Sequence, residues 1–212
     1  MAIIELKLFV SILLPLAAIL FIIRGEARTV VIFLLLGLAA ELLSAFLGYY
    51  ILRFEGDSLF FTVNISPAVE EILKGIPILI LVFKIRPEKQ IIFEAGIAVG
   101  IGFAILENAY FIAADAYDTS LEIAFLRGIG TGMMHAVCTL AVSYGMSFIY
   151  KKRWFFVPGT FLFLFMAMVY HSVFNALVQS RFQIIGLCLP AATFIPLIVH
   201  IIKKYPHDVS AK

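Results

Sequence analysis

The chain has 212 residues, of which 63% are hydrophobic and 14% are charged, and its mean hydropathy is +1.06. Soluble domains have about 45–50% apolar and about 25% charged residues. This composition excludes an ordinary soluble domain, because so much apolar surface can only face lipid. A net charge of +2, with no basic patch interleaved with aromatic residues, excludes nucleic acid as a partner. The two cysteines, Cys138 and Cys188, lie in apolar runs and form no disulfide framework or CxxC pair.

Seven apolar segments approach the length of about 20 residues that a helix needs to cross a bilayer. We expect each to be helical, because an isolated strand would leave its backbone groups unpaired in lipid. The first segment lacks a small-x-small cleavage site, so we expect a retained helix and not a signal peptide. The chain thus predicts an all-α, polytopic membrane protein with about seven transmembrane helices, forming one domain over residues 1–212. The segments cover residues 5–23, 29–52, 63–85, 90–113, 122–150, 155–178 and 182–202.

The lysines and arginines between the segments predict the orientation. Cytoplasmic loops carry an excess of these residues. We therefore expect the amino terminus outside and the carboxyl terminus in the cytoplasm of a cell-membrane, multi-pass protein. The predicted cytoplasmic side carries Arg24, Arg28, Lys84, Arg86, Lys89, Lys151, Lys152, Arg153, Lys203, Lys204 and Lys212, and the outer side carries Lys7, Arg53 and Arg181.

Polar residues within the segments are the candidates for function, because a charged side chain at membrane depth costs roughly 2.5–3.5 kcal/mol even on insertion scales. With a rise of about 1.5 Å per residue, the predicted topology brings acidic and imidazole groups from four consecutive segments, 63–178, to one layer in the outer half of the membrane. Residues four apart share a helix face, which predicts that Glu70 lies on one face with Lys74 and that His171 lies on one face with Asn175. The polar residues are Glu41, Glu70, Glu71, Lys74, Glu94, Glu107, Asn108, Arg127, His135, His171 and Asn175.

Other features of the segments predict structure and not chemistry. Glu41 is expected to be structural, with a supporting role at the site as the alternative, and Glu94 and Arg127 are expected to snorkel near helix ends. Pro77 is expected to interrupt its helix one turn after Lys74. Small residues favour close helix approach in membranes. We expect this at Gly96, Gly100, Gly102, Gly128, Gly130 and Gly132.

Four motifs follow one another between residues 67 and 175. They are Glu70-Glu-Ile-Leu-Lys74, Gly102-Phe-Ala-Ile-Leu-Glu-Asn108, His135 on the next segment, and His171-Ser-Val-Phe-Asn175. This set resembles the PrsW family of intramembrane proteases, which is similar in turn to the CAAX-processing and bacteriocin-processing membrane proteases. The chain departs from the latter at Phe103-Ala-Ile-Leu-Glu107, where they carry Phe-x-x-x-His.

The resemblance implies hydrolysis of a peptide bond of a membrane protein or membrane-associated peptide by a glutamate-activated water. By analogy, Glu70 is the expected base and Glu71 supports it, while Lys74 pairs with one of the two. His171 and Asn175 match a pair that resembles an oxyanion hole. Glu107 and Asn108 belong to the second motif, with Asn108 in a supporting role. His135 either orients the water, binds a metal or packs in the core.

Three alternatives stay open at this point. His135, His171 and Glu107 would make a His₂Glu zinc set, although the expected mechanism needs no cofactor. Intramembrane Glu, Lys and His chains also serve proton- or ion-coupled transporters, but those usually show repeated halves and none is visible here. A non-catalytic scaffold subunit is the third alternative, although every matched motif keeps its polar residue.

Overall fold

The computed structural model describes residues 27–114, 119–150 and 152–204. These residues form helices joined by short turns and contain no strand. The all-α prediction is confirmed for this part of the chain. In chain order the elements are α1 (Ala27–Glu55), α2 (Ser58–Phe60), a π-helical turn (Phe61–Ile65), α3 (Ser66–Lys84), α4 (Lys89–Ala114), α5 (Leu121–Met146), a 3₁₀ turn (Ser147–Tyr150), α6 (Arg153–Val178) and α7 (Gln183–Lys204).

Four helices are long and apolar enough to cross a membrane: Thr29–Glu55, Lys89–Ala114, Leu121–Tyr150 and Arg153–Val178. The predicted segments 63–85 and 182–202 form α3 and α7, but α3 carries four charged residues and the apolar part of α7 is short, Gln183–Pro196. The predicted segment 5–23 lies outside the described residues. Seven spans and the orientation of the termini therefore stay predictions.

Helices α4 and α5 lie at the centre of the bundle. Residues 94–105 of α4 are all buried. A β-carbon on Gly102 would overlap the carbonyl oxygen of Leu34 in α1, and one on Gly100 would lie 2.5 Å from the carbonyl oxygen of His135 in α5. The expected close helix approach is confirmed at these glycines. The contact between Gly100 and the backbone of His135 fixes the position of α5 along α4, and therefore the position of His135 in the bundle.

Helix α3 buries Glu70, Glu71 and Lys74 and exposes three of its four isoleucines. Glu71 and Lys74 are 1% and 0% exposed, whereas Ile72 and Ile76 are 49% and 45% exposed. A water-soluble helix has the opposite arrangement. The outer face of α3 therefore suits lipid, and its inner face forms a polar interior.

The prediction that Pro77 interrupts its helix is wrong, because α3 continues to Lys84. Pro77 lacks only the N–H that would bond the carbonyl of Leu73, and the surrounding bundle holds the remaining turns in place.

Candidate active site

Helix α3 supplies an ion pair to the interior of the bundle. Lys74 Nζ donates to Glu71 Oε1 at 2.6 Å, and both side chains have no solvent exposure. The two residues are three apart, so they lie on neighbouring positions of one helix face. The sequence predicted that Lys74 pairs with one of two glutamates, and the structure identifies Glu71 as its partner.

Helix α6 brings His171 onto the same carboxylate. His171 Nδ1 lies 2.8 Å from Glu71 Oε1. A carboxylate only accepts, so Nδ1 carries the hydrogen and donates it. In the neutral ring, Nε2 is then an acceptor. His171 projects inward because it lies on the buried stripe of α6, with Ala167 and Phe174, while the rest of that helix is largely exposed.

Glu70 occupies the other side of His171. Ser66 Oγ donates to Glu70 Oε1 at 2.5 Å, one turn earlier in α3. Glu70 Oε2 lies 3.6 Å from His171 Nε2 and is buried with no hydrogen-bond partner among the described residues. Sequence reasoning missed Ser66, although its position four residues before Glu70 was the available signal.

Helix α5 adds His135 to the network. Lys74 Nζ donates to His135 Nδ1 at 2.8 Å, so the other ring nitrogen carries the hydrogen and donates to Glu107 Oε2 at 2.5 Å. Phe103 of α4 packs against both groups, with its ring centroid 4.9 Å from that of His135 and 4.8 Å from Lys74 Nζ. The ring centroids of His135 and His171 lie 4.9 Å apart.

Glu107 connects this network to the edge of the bundle. Arg127 donates to Glu107 Oε1 at 3.0 Å and stacks over Phe111. The Glu107 side chain is 25% exposed, whereas that of His135 is fully buried. Arg127 is thus part of the polar network and does not merely snorkel, as the sequence led us to expect. A chain of contacts runs from Arg127 through Glu107, His135, Lys74 and Glu71 to His171.

The remaining predicted residues make other hydrogen bonds or are buried without one among the described residues. Asn175 Nδ2 donates to the carbonyl oxygen of Thr62 at 2.9 Å and so ties α6 to the π-helical turn before α3. Asn108 is fully buried, and within the described parts of the chain neither atom of its amide has a hydrogen-bond partner. Glu94 accepts from Gln90 Nε2 at 2.9 Å in its own helix. Glu41 of α1 is buried, at 8% exposure, and is close enough to Glu70 and Glu107 for their charges to interact.

Three residues of the site together carry donor atoms that suit a metal ion. A carboxylate oxygen of Glu70 and one nitrogen each of His135 and His171 lie within 4.8 Å of one another. Two histidines and a glutamate are a known donor set of catalytic zinc. The set expected from sequence had Glu107 in place of Glu70, but Glu107 is engaged by His135 and Arg127.

The hydrogen bonds of this group do not fit zinc. A histidine ligand gives its lone pair to the metal and donates its other N–H to an acceptor. His135 Nδ1 already gives its lone pair to Lys74, and Nε2 donates to Glu107. If Nε2 bound a metal instead, the hydrogen on Nδ1 would face the Lys74 ammonium. Of these three described residues, Glu70 and His171 keep a donor atom suited to a metal ion and His135 does not.

Comparisons with known proteins place the chain in a family. No curated protein and no solved structure matches it. A family model described as the PrsW family intramembrane metalloprotease matches residues 15–201. Its proteins are proteases that cleave membrane-protein or peptide substrates within the bilayer, which agrees with the buried polar network inside an apolar bundle. The chain belongs to the PrsW family of intramembrane proteases.

Proposed function

We propose that this chain is an endopeptidase of the cell membrane that hydrolyses a peptide bond with a glutamate-activated water, and that Glu70 is the general base. One observation carries the proposal: Glu70 Oε2 is buried, has no hydrogen-bond partner among the described residues, and lies 3.6 Å from His171 Nε2. This distance is too long for a direct hydrogen bond, and a single water can bridge such a gap.

Both facing atoms act as acceptors when Glu70 is ionised and His171 is neutral. A water between them would donate one hydrogen to each, and its lone pairs would point towards the substrate. Glu70 then takes a proton as the water oxygen forms a bond to the carbonyl carbon. Glu70 returns that proton to the amide nitrogen as the carbon–nitrogen bond breaks, so that one carboxyl and one amino product result.

Glu71 and Lys74 position His171 in this mechanism. Glu71 accepts the Nδ1 hydrogen of His171 and so directs the lone pair of Nε2 towards Glu70. Lys74 balances the charge of Glu71 in a region without solvent exposure. His135 accepts a hydrogen bond from Lys74, and Glu107 in turn holds His135, which makes both of them positioning residues and not bases.

The oxyanion role expected for His171 and Asn175 passes to Asn175 alone in this proposal. His171 uses Nδ1 to donate to Glu71, so its Nε2 cannot also donate while the ring is neutral. The amide nitrogen of Asn175 carries two hydrogens, and Thr62 accepts one of them. The second can be donated to the developing oxyanion.

A zinc-dependent peptidase is the second candidate, because the family description names a metalloprotease and the group of Glu70, His135 and His171 has suitable donor types. A bound zinc ion would polarise the substrate carbonyl and activate water. The hydrogen bonds of His135 favour the metal-independent mechanism.

Cleavage of a membrane-peptide substrate by purified variants tests the proposal. Glu70→Gln keeps the size of the side chain and removes the base, and should lower turnover by at least about 100-fold. Glu94→Gln is the matched control and should retain activity, since Glu94 bonds within α4. Full activity of the Glu70→Gln and Glu71→Gln double variant would rule out a glutamate base.

A further inference from the structure

We propose that the ammonium group of Lys74 is the resident cation of this site and keeps zinc out of the group formed by Glu70, His135 and His171. The inference rests on the proposed metal-independent function and deepens it. It also explains how a chain of this family can carry two histidines and a glutamate close together without using them as metal ligands.

Three groups of the site hold the Lys74 ammonium. Its Nζ donates to Glu71 Oε1 at 2.6 Å and to His135 Nδ1 at 2.8 Å, and it lies 4.8 Å from the centroid of Phe103. A carboxylate, an imidazole lone pair and an aromatic ring are all groups that attract a cation. Lys74 has no solvent exposure, so its charge has no alternative partner in water.

The position of this ammonium conflicts with a metal on His135. Zinc binds imidazole nitrogen at about 2.0–2.1 Å along its lone pair, and the lone pair of Nδ1 points at Nζ only 2.8 Å away. Zinc and the ammonium cannot share that lone pair, and two cations so close would repel each other. Without His135, the group keeps only Glu70 and His171, too few protein ligands for a catalytic zinc site.

Removal of the ammonium should therefore create a zinc site. Lys74→Met removes the charge, but it leaves the buried Glu71 carboxylate without its cation, which is destabilising. The double variant Glu71→Gln with Lys74→Met removes both charges together. The introduced amide oxygen can still accept from His171 Nδ1, while His135 Nδ1 becomes available as a ligand.

The experiment measures Zn²⁺ itself and needs no peptide cleavage. Purified full-length variants in detergent are dialysed against buffered free Zn²⁺ and their metal content is determined. The double variant should bind one Zn²⁺ about 10- to 100-fold more tightly than the wild type, which is the scale on which groups that contact a metal ligand alter metal affinity. Glu71→Gln alone is the matched control and should not gain binding, because it keeps Lys74.

Further variants separate a specific site from surface binding. Adding His171→Ala to the double variant should remove the gained Zn²⁺, and Lys74→Arg, which keeps a cation, should bind none at the site. One tightly bound Zn²⁺ in the wild type that depends on His171 would overturn the inference. So would a folded double variant with no gain in affinity. If the double variant does not fold, the zinc content of the wild type and of Lys74→Arg is still informative. Tight Zn²⁺ binding in either protein that depends on His171 would overturn the inference, and its absence from both would support it. Failure of the proposed glutamate base would be visible in a different measurement, as undiminished peptide cleavage by Glu70→Gln.

Discussion

Glu71 accepts a hydrogen bond of 2.8 Å from His171 Nδ1 across 100 residues of sequence, and this contact determines which nitrogen of His171 faces Glu70. The same Glu71 oxygen accepts from Lys74. One buried carboxylate thus joins the cation of α3 to the imidazole of α6, so its replacement should affect the base indirectly.

Two substitutions of Glu71 should distinguish its role in orienting His171 from the role of its negative charge. Glu71→Gln retains an oxygen that can accept from His171, whereas Glu71→Leu does not. We expect the leucine variant to lose at least about 100-fold in turnover and the glutamine variant about 10-fold, since hydrogen bonds to charged groups are worth roughly 1.5–3 kcal/mol. Peptide-cleavage kinetics measure this, with exposed Val173→Ala as the control. Equal losses in both variants would argue against the orienting role.

Substitutions of Arg127 and Glu107, which form an ion pair, should have coupled effects on the rate of catalysis. Arg127→Ala leaves Glu107 with His135 alone and should lower activity by about 10-fold, and Glu107→Gln by at least about 100-fold. Because the two residues act as a unit, the double variant should be no worse than Glu107→Gln. Exposed Arg181→Ala is the control and should leave the rate unchanged. Strictly additive losses would contradict a shared role.

The close approach of α1 and α4 should tolerate no added methyl group at Gly102. A β-carbon there would overlap the Leu34 carbonyl oxygen, whereas one on Gly75 would meet its nearest atom at 3.7 Å. Gly102→Ala should therefore lower stability by about 1–3 kcal/mol, and Gly75→Ala should be neutral or slightly stabilising. Thermal unfolding in detergent measures both, and the same melting temperature for the two variants would show that the contact is not tight.

The predicted orientation is accessible to cysteine labelling. In a background lacking Cys138 and Cys188, single cysteines replace Ser58, the exposed first residue of α2, or Tyr205 near the end of the sequence. With the amino terminus outside, an impermeant thiol reagent should label position 58 in intact cells and position 205 only after permeabilisation. The reverse pattern would invert the topology.

Hydropathy and spacing were sufficient to predict the long helices of the described part of the chain and its membrane environment. The predicted segments 29–52 and 90–113 lie within α1 and α4, because an apolar run of this length has no other way to satisfy its backbone in lipid. Spacing also predicted that Lys74 shares a helix face with Glu70, four residues before it, although the ion pair forms with Glu71, three residues before it. Local geometry repeats every turn, so such neighbours can be read from a few residues.

The partners between helices were decided only by the tertiary structure. Lys74 and His135 are 61 residues apart, and Asn175 and Thr62 are 113 apart. Arg127 was expected to snorkel and instead binds Glu107, and Glu70 replaces Glu107 in the group with metal donors. These outcomes depend on how far each helix is rotated and shifted against its neighbours. That register is set by contacts such as Gly102 on Leu34 and Gly100 on His135, in which residues distant in sequence must fit together, and no local pattern encodes it.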